Sequence, residues 1–193
     1  SAFWLAELGF EVRLLDASPR LVDLARQRNE HAAHPLASID VADARSLPAQ
    51  AESADVVLLL GPLYHLVNER DRSAALSESL RALRAGGVVI GAGISRAASA
   101  LDGLSRELLS DPDFARIVER DLEDGNHRNS TSRIDYFTTA YFHRPVDLER
   151  EAVTAGFKVV GLFGIEGPGW ILPDFDARWN DPKRREMLLQ TAR

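Results

Sequence analysis

The sequence predicts an α/β protein: a doubly wound, mostly parallel sheet with an inserted helical and aromatic cap. Three observations lead there. Strands and helices alternate along the first half of the chain, an order that requires parallel crossover connections. Val56 to Leu60 and Val88 to Ile90 are unbroken apolar runs, as in strands of a parallel sheet covered on both faces. From about 96 to 144 the alternation stops, and the chain turns helical and then aromatic.

The elements follow in order. Ser1 to Leu8 reads as a helix already under way, stopped by Gly9 in the left-handed C′ position with Phe10 packing back onto the last turn. Glu11 to Asp16 is a short strand ending in a carboxylate. Ser18 is the N-cap and Pro19 the first residue of a helix, where Leu21, Leu24, Ala25 and Arg28 fall along one stripe. Ser38 to Ala42 alternates as a strand and ends at Asp43-Ala44. The run Val56 to Leu60 leaves the sheet at Gly61-Pro62, with Tyr64 and His65 directly after it. A helix spans Glu69 to Arg84, with Leu76, Leu80 and Leu83 on one face and Gly86-Gly87 closing it. Val88 to Ile90 is the next buried strand.

The inserted stretch holds helices over 97–109 and 112–122, a polar loop over 123–130, and the aromatic run Ile134 to His143. Pro145 to Ala155 is a helix stopped by Gly156. Phe157 to Ile165 is a strand, leading into the turn-rich Glu166 to Trp170. Asp181-Pro182 opens a last helix that runs to Arg193 without a stop signal. Both termini are therefore expected to be truncated. The expected organisation is a single domain over 1–193, with its core at about 1–95 and 145–193 and the cap at about 96–144.

A chain of 193 residues with 45% hydrophobic residues is enough for one domain with a full core. The net charge of −6 and pI near 5.4 argue against phosphate-backbone binding, which needs clustered Lys and Arg. There is no cysteine, hence no disulfide, thiolate nucleophile or Cys-ligated metal. No apolar run reaches the length of a membrane span, and no signal peptide is visible. These features point to a cytoplasmic protein. Of the 23 basic residues, only Lys158 and Lys183 are lysines, a composition typical of GC-rich bacterial coding DNA.

In a doubly wound sheet, ligands sit beyond the carboxyl ends of the strands. Asp16, Asp43 and the Gly61–His65 group all stand at such ends and are expected to converge on one crevice. Asp16 either accepts both hydroxyls of a ribose or supports the N-terminus of the helix after it. Asp43 either accepts the exocyclic amine of an adenine or serves as a turn residue.

Four stretches in this order, "EVRLLDASPRLVDLAR", "DVADARSLP", "DVVLLLGPLYHL" and "LRALRAGGVVIGAGISR", resemble class I S-adenosylmethionine-dependent methyltransferases, closest to a bacterial small-molecule branch. The resemblance covers Ser1 to about Ser95 well. It continues more loosely through "YFTTAYFHRPVDLEREAVTAGF" to Trp170. It implies a Rossmann-like sheet, S-adenosylmethionine as cofactor and S-adenosylhomocysteine as product. It also implies roles: Asp16 on the ribose hydroxyls, Ala17 beside the adenine, Asp43 on its amine and Ala44 giving a backbone N–H. Leu60 and Gly61 would run along the cofactor's amino-acid part. The family's glycine-rich loop, expected before Ser1, and its last strand, expected after Arg193, are not in the sequence.

Four side chains are candidates for the acceptor pocket: Tyr64, His65, Tyr141 and His143. Of these, His65 is the candidate general base, with a histidine bonded to nearby backbone as the alternative. Core packing is the expectation for Phe137 and Phe142. Trp170 is either a pocket wall or a core plug. The five histidines show no metal-ligand spacing, so no metal is expected.

Two rival functions are a nicotinamide or flavin oxidoreductase and a non-catalytic nucleotide-ligand binder of the same fold. The oxidoreductase rests on "VVIGAGIS". Its glycine fingerprint fails at Arg96, where a third glycine is needed. The partner is thus expected to be a small molecule, with neither nucleic acid nor membrane involved. Oligomeric state is open.

Overall fold

The computed structural model describes residues 1–165 and 172–191. It is α/β, with mostly parallel strand pairs among the described residues. The chain divides into two compact units. One holds Ser1–Ala92 with Thr154–Phe157, the other Gly93–Val153 with Lys158–Arg193.

The first unit opens on α1 (Ala2–Glu7). Gly9 closes it at φ +90°, and the N–H of Phe10 reaches back to the Leu5 carbonyl at 3.2 Å. That backbone closure matches the expectation. The packing does not, because Phe10 is 60% exposed. Then come β1 (Arg13–Asp16), α2 (Pro19–Glu30) and β2 (Ser38–Val41). Ser18 caps α2, its hydroxyl accepting from the Leu21 N–H. The buried face of α2 differs from the expected stripe. Val22 is fully buried and Ala25 packs beside it, in a core with Ala6, Leu36 and Ile39. Leu21 and Leu24 are each 52% exposed. Two hydrogen bonds from Arg26 to the Ile39 carbonyl fix the helix in this rotation.

Parallel pairing joins β1 to β2, with Asp16 opposite Val41. A second parallel pair joins β3 (Ala54–Leu59) to β4 (Leu83–Gly91). Between β3 and β4 lie the short α3 (Pro62–His65) and α4 (Glu69–Ala82). Leu59 is buried, but the other face of this pair is open. Val56, Leu58, Leu60, Val88 and Ile90 are between 38% and 52% exposed. The unbroken apolar runs were expected to be covered on both faces. Among the described residues only one face is covered.

The buried face of α4 carries Arg72, Ala75, Leu76, Ser79 and Ala82, whereas Leu80 is 40% exposed. The helix ends at Ala82. Gly86-Gly87, expected to close it, lies instead in a register irregularity of β4 between the Leu83 and Val88 pairings.

A clasp ties the loop before β3 to α4. The Leu47 N–H donates to Glu78 (2.9 Å), and Arg81 donates to the carbonyls of Leu47 (3.1 Å) and Ala49 (2.8 Å). Arg81 and the Leu47 N–H hold the Glu78 carboxyl down at about 2. A depressed carboxylate stabilises fully above its ordinary value of 4.5, and that contribution fades as pH falls through about 2. Glu78→Gln is therefore expected to lose acid dependence in that window. Acid titration of the 47–53 amides by NMR measures it.

In the second unit, β5 (Ile94–Ser95) precedes α5 (Ala98–Ser105), a 3₁₀ turn over 108–110 and α6 (Pro112–Asp124). Asp111 caps α6, accepting from the Asp113 N–H at 2.8 Å. Gly125 ends it at φ +79°, where a Cβ would collide with the Phe142 carbonyl. The strands β6 (Asn126–His127) and β7 (Ala140–His143) follow. β7 lies between β5, parallel to it, and β6, antiparallel to it. The core is Phe114, Ile117, Val118 and Tyr136.

Helix α7 (Pro145–Thr154) stops at Gly156, φ +99°. The strand expected over Phe157 to Ile165 does not form: these residues are unpaired, with Val160 93% and Phe163 83% exposed. An extended segment becomes a strand only beside a ladder partner, and none of the described residues supplies one. Two helices close the described chain, α8 (Phe175–Asn180), which the sequence reading lacked, and α9 (Pro182–Thr191). Asp181 caps α9 as expected. Glu166 to Trp170 lie outside the described residues.

Candidate active site

In the first unit the candidate residues stand at strand ends. Asp16 is the last residue of β1, directly before Ala17 and the α2 cap. Its Oδ1 accepts from the Ser18 N–H at 2.8 Å. This turn orients the carboxylate and leaves Oδ2 without a partner among the described residues. Asp16 thus does the helix-supporting job and keeps one oxygen free. Ala17 is exposed beside it.

Asp43, just past β2, is more heavily engaged. Arg45 grips it with its backbone N–H (2.8 Å) and its guanidinium (2.6 Å at the shortest). These bonds pull its carboxyl down to about 2. Arg45 also reaches Asp71 at 3.2 Å, in the first turn of α4. The chain Asp43–Arg45–Asp71 therefore ties the end of β2 to the helix that follows the β3 turn. Ala44 is half-buried inside this turn.

The turn after β3 is built by short bonds. The Tyr64 hydroxyl donates to the Leu60 carbonyl at 2.8 Å, and the Tyr64 and His65 rings lie 4.7 Å apart. A Cβ on Gly61 would meet only ordinary contacts at 3.9 and 4.0 Å, so the protein itself does not demand glycine there. His65 is exposed, and its ring makes no hydrogen bond to the described residues. Buried Arg72 donates to the carbonyls of Leu66 (3.0 Å) and Val67 (2.8 Å) and so pins the segment behind it.

In the second unit, Tyr141 and His143 share one face of β7, their rings edge-on at 4.7 Å. His143 is buried, with Nε2 3.4 Å from Glu151 of α7 and Nδ1 without a partner. The Arg96 guanidinium donates to the Phe142 carbonyl (2.8 Å) and reaches the Tyr141 hydroxyl at 3.4 Å. His127 is held at both nitrogens. Nε2–H donates to the Tyr136 carbonyl at 2.9 Å, and Nδ1 lies 2.6 Å from Asp121. Phe142 is buried and stacks on His127 at 4.8 Å. Phe137, expected in the core, is 47% exposed.

Sequence reasoning missed Arg72, Asp121, His127 and Glu151. A signal was present: three of them are charged residues on the apolar stripe of a helix. Asp121 follows Phe114, Ile117 and Val118 at helical spacing. Such a position is filled by a charge only when a partner is built for it.

Residues 1–91 match the sequence profile of a methyltransferase domain, a stretch that falls within the Ser1–Ala92 part of the first unit. The matched stretch is a little under half of the chain. No curated protein matches its sequence. Its fold is similar to that of an S-adenosylmethionine-dependent methyltransferase from Methanosarcina mazei, at 17% identity and TM-score 0.64, covering 85% of this chain and 76% of that one. It is also similar to a methyltransferase from Thermotoga maritima described as a possible histamine N-methyltransferase, at 19% identity and TM-score 0.51. That match covers 81% of this chain and 59% of the other. A Pyrococcus horikoshii protein matches at 18% identity and TM-score 0.51, covering 79% and 67%. These likenesses establish the Rossmann-like fold.

The residues present fit the cofactor at Asp16, whose free oxygen suits a diol. Among the described residues, no group of three His, Asp or Glu side chains is placed to hold a metal ion. No helix among them is long and apolar enough to cross a membrane.

Proposed function

We propose that the protein moves a methyl group from S-adenosylmethionine to an oxygen or nitrogen of a small molecule. The observation that carries this is the division of labour along the chain. The methyltransferase profile stops at residue 91, and the second unit has its own core and its own cluster of aromatic, histidine and hydroxyl side chains. In this reading 96–144 acts as a cap that selects the acceptor. Asp16 takes the ribose hydroxyls and Ala17 lies beside the adenine. Asp43 and the Ala44 N–H read the adenine edge, and Leu60 and Gly61 flank the amino-acid part. Tyr64 and His65, just past the end of β3, stand on the acceptor side of the first unit.

The donor's sulfonium already activates its methyl group. What remains for the chain is to align the nucleophile and exclude water, so no strong catalytic constellation is required. His65, exposed and without a bond, is free to take the acceptor's proton. The acidic charge of −6 disfavours nucleic acid as acceptor. The name of the Thermotoga relative is in keeping with a small nitrogen acceptor. A bacterial, cytoplasmic setting belongs to the same reading.

Methyl-labelled cofactor incubated with pools of small amines and alcohols, beside tRNA and duplex DNA, tests the proposal. Label is expected in the small-molecule fraction. Label confined to nucleic acid would overturn it. His65→Ala is expected to lower turnover about 10²-fold or more at neutral pH while leaving cofactor affinity unchanged. Single-turnover kinetics beside cofactor titration measure both.

A further inference from the structure

We infer that the loop over residues 129–139 is a binding site for a small molecule, and that it takes an uncharged one with an apolar ring face and hydroxyl groups. The site lies within the second unit and does not depend on the cofactor site of the first. The loop borders an open surface depression of about 460 Å³ lined by Ser132, Arg133, Ile134, Phe137, Thr138 and Thr139, a volume in the range of small-molecule sites.

Its apolar contribution is unusual for a surface loop. Ile134 is 94% and Phe137 47% exposed, so an aliphatic chain and one side of an aromatic ring, whose other side meets the His127 ring at 5.8 Å, line the opening. The hydroxyls of Ser132, Thr138 and Thr139 make no hydrogen bond to any described residue, so three groups able to donate and accept stand uncommitted beside those two. The one charge on the lining is already answered. Arg133 pairs with Asp111 at 2.9 Å and Asp135 at 3.1 Å, and Asp135 also faces Arg106 at 3.8 Å. A phosphate or carboxylate would have to break those pairs.

The loop is also held ready. Phe137 sits at φ +66°, ψ −175°, a region that is essentially glycine's, and a side chain there carries strain. Three bonds impose it. The Asn129 amide donates to the carbonyls of Arg133 (2.6 Å) and Phe137 (3.0 Å), and His127 donates to that of Tyr136 (2.9 Å). The Tyr136 hydroxyl adds an anchor on Asp111 at 2.7 Å. The outcome is an aromatic ring presented to the depression. A packing role would have placed a glycine in that conformation and a buried ring elsewhere.

The test is amide NMR on the whole protein, titrated separately with phenol, catechol, tyramine and phenyl phosphate, with S-adenosylhomocysteine added to each sample. Shifts at Ser132, Thr138 and Thr139 are expected with phenol and catechol and not with phenyl phosphate. Thr138→Val with Thr139→Val, near-isosteric, is expected to weaken catechol about tenfold. Phe137→Gly is expected to abolish the response while its thermal midpoint holds. If S-adenosylhomocysteine shifts the amides around Asp16 but no uncharged ring shifts the loop, the site is wrong and the methyl-transfer reading stands. A stronger response to tyramine or phenyl phosphate overturns the uncharged class. Absence of any response to S-adenosylhomocysteine counts against the methyl-transfer reading itself.

Discussion

Asp121→Ala is expected to destabilise the second unit by about 3–5 kcal/mol, the cost typical of breaking a buried charged pair from one side. Asp121 and His127 are 0% and 1% exposed, and 2.6 Å apart. The other nitrogen of His127 already donates to the Tyr136 carbonyl. Both ring nitrogens are thus committed, and removal of the acid strands a buried polar atom that has no water to turn to. Asp121→Asn keeps an oxygen toward the ring and is expected to cost less, about 1–2 kcal/mol. Two compact units need a local readout. Hydrogen exchange of the Ile117 and Phe142 amides in urea supplies it. A loss below about 0.5 kcal/mol for the alanine variant, the range of an ordinary surface change, would show that the pair does not support this core.

Asp16→Ala is expected to weaken S-adenosylhomocysteine binding about 10²-fold or more. A carboxylate accepting two ribose hydroxyls makes charge-assisted bonds, each stronger than a neutral one, and two of them account for a factor of that size. The alanine variant also frees the Ser18 N–H, which Asp16 holds at 2.8 Å, so a weaker helix start is a competing cause. Asp16→Asn separates the two. It keeps an acceptor for Ser18 and loses the charge. Tight binding restored by asparagine would make Asp16 a helix support; binding weakened in both variants assigns it to the ribose.

The parts of the fold legible in the sequence are those with local chemistry. Ser18-Pro19 and Asp181-Pro182 mark helix starts through side-chain caps, and both caps form. Gly9 and Gly156 mark stops through a left-handed backbone, and both adopt it. What failed depends on neighbours. Leu21 and Leu24 have helical spacing, but α2 buries Val22 instead because Ile39 and Leu36 lie on that side. Phe157 to Ile165 has strand composition and no ladder partner among the described residues. Apolar runs at Val56 and Val88 read as doubly covered, and one face is open.

The candidate site divides the same way. Strand-end acids were visible because strand ends are visible. The buried pairs that organise the second unit were legible only in half: the apolar stripe of α6 marks Asp121 as a charge that needs a partner, but His127 and His143 reach their acids only through the fold. Phe137 shows the limit most sharply: its ring looked like core, and only the backbone angle reveals that it is held outward.

On the reading proposed above, the protein binds the methyl-donor cofactor at the strand ends of its first unit. Isothermal calorimetry of the protein with S-adenosylhomocysteine, with NAD and FAD titrated in parallel, tests it most directly. One equivalent of S-adenosylhomocysteine is expected to bind, more weakly in Asp16→Asn, with no heat from NAD or FAD. Binding of NAD or FAD with none of S-adenosylhomocysteine would contradict it.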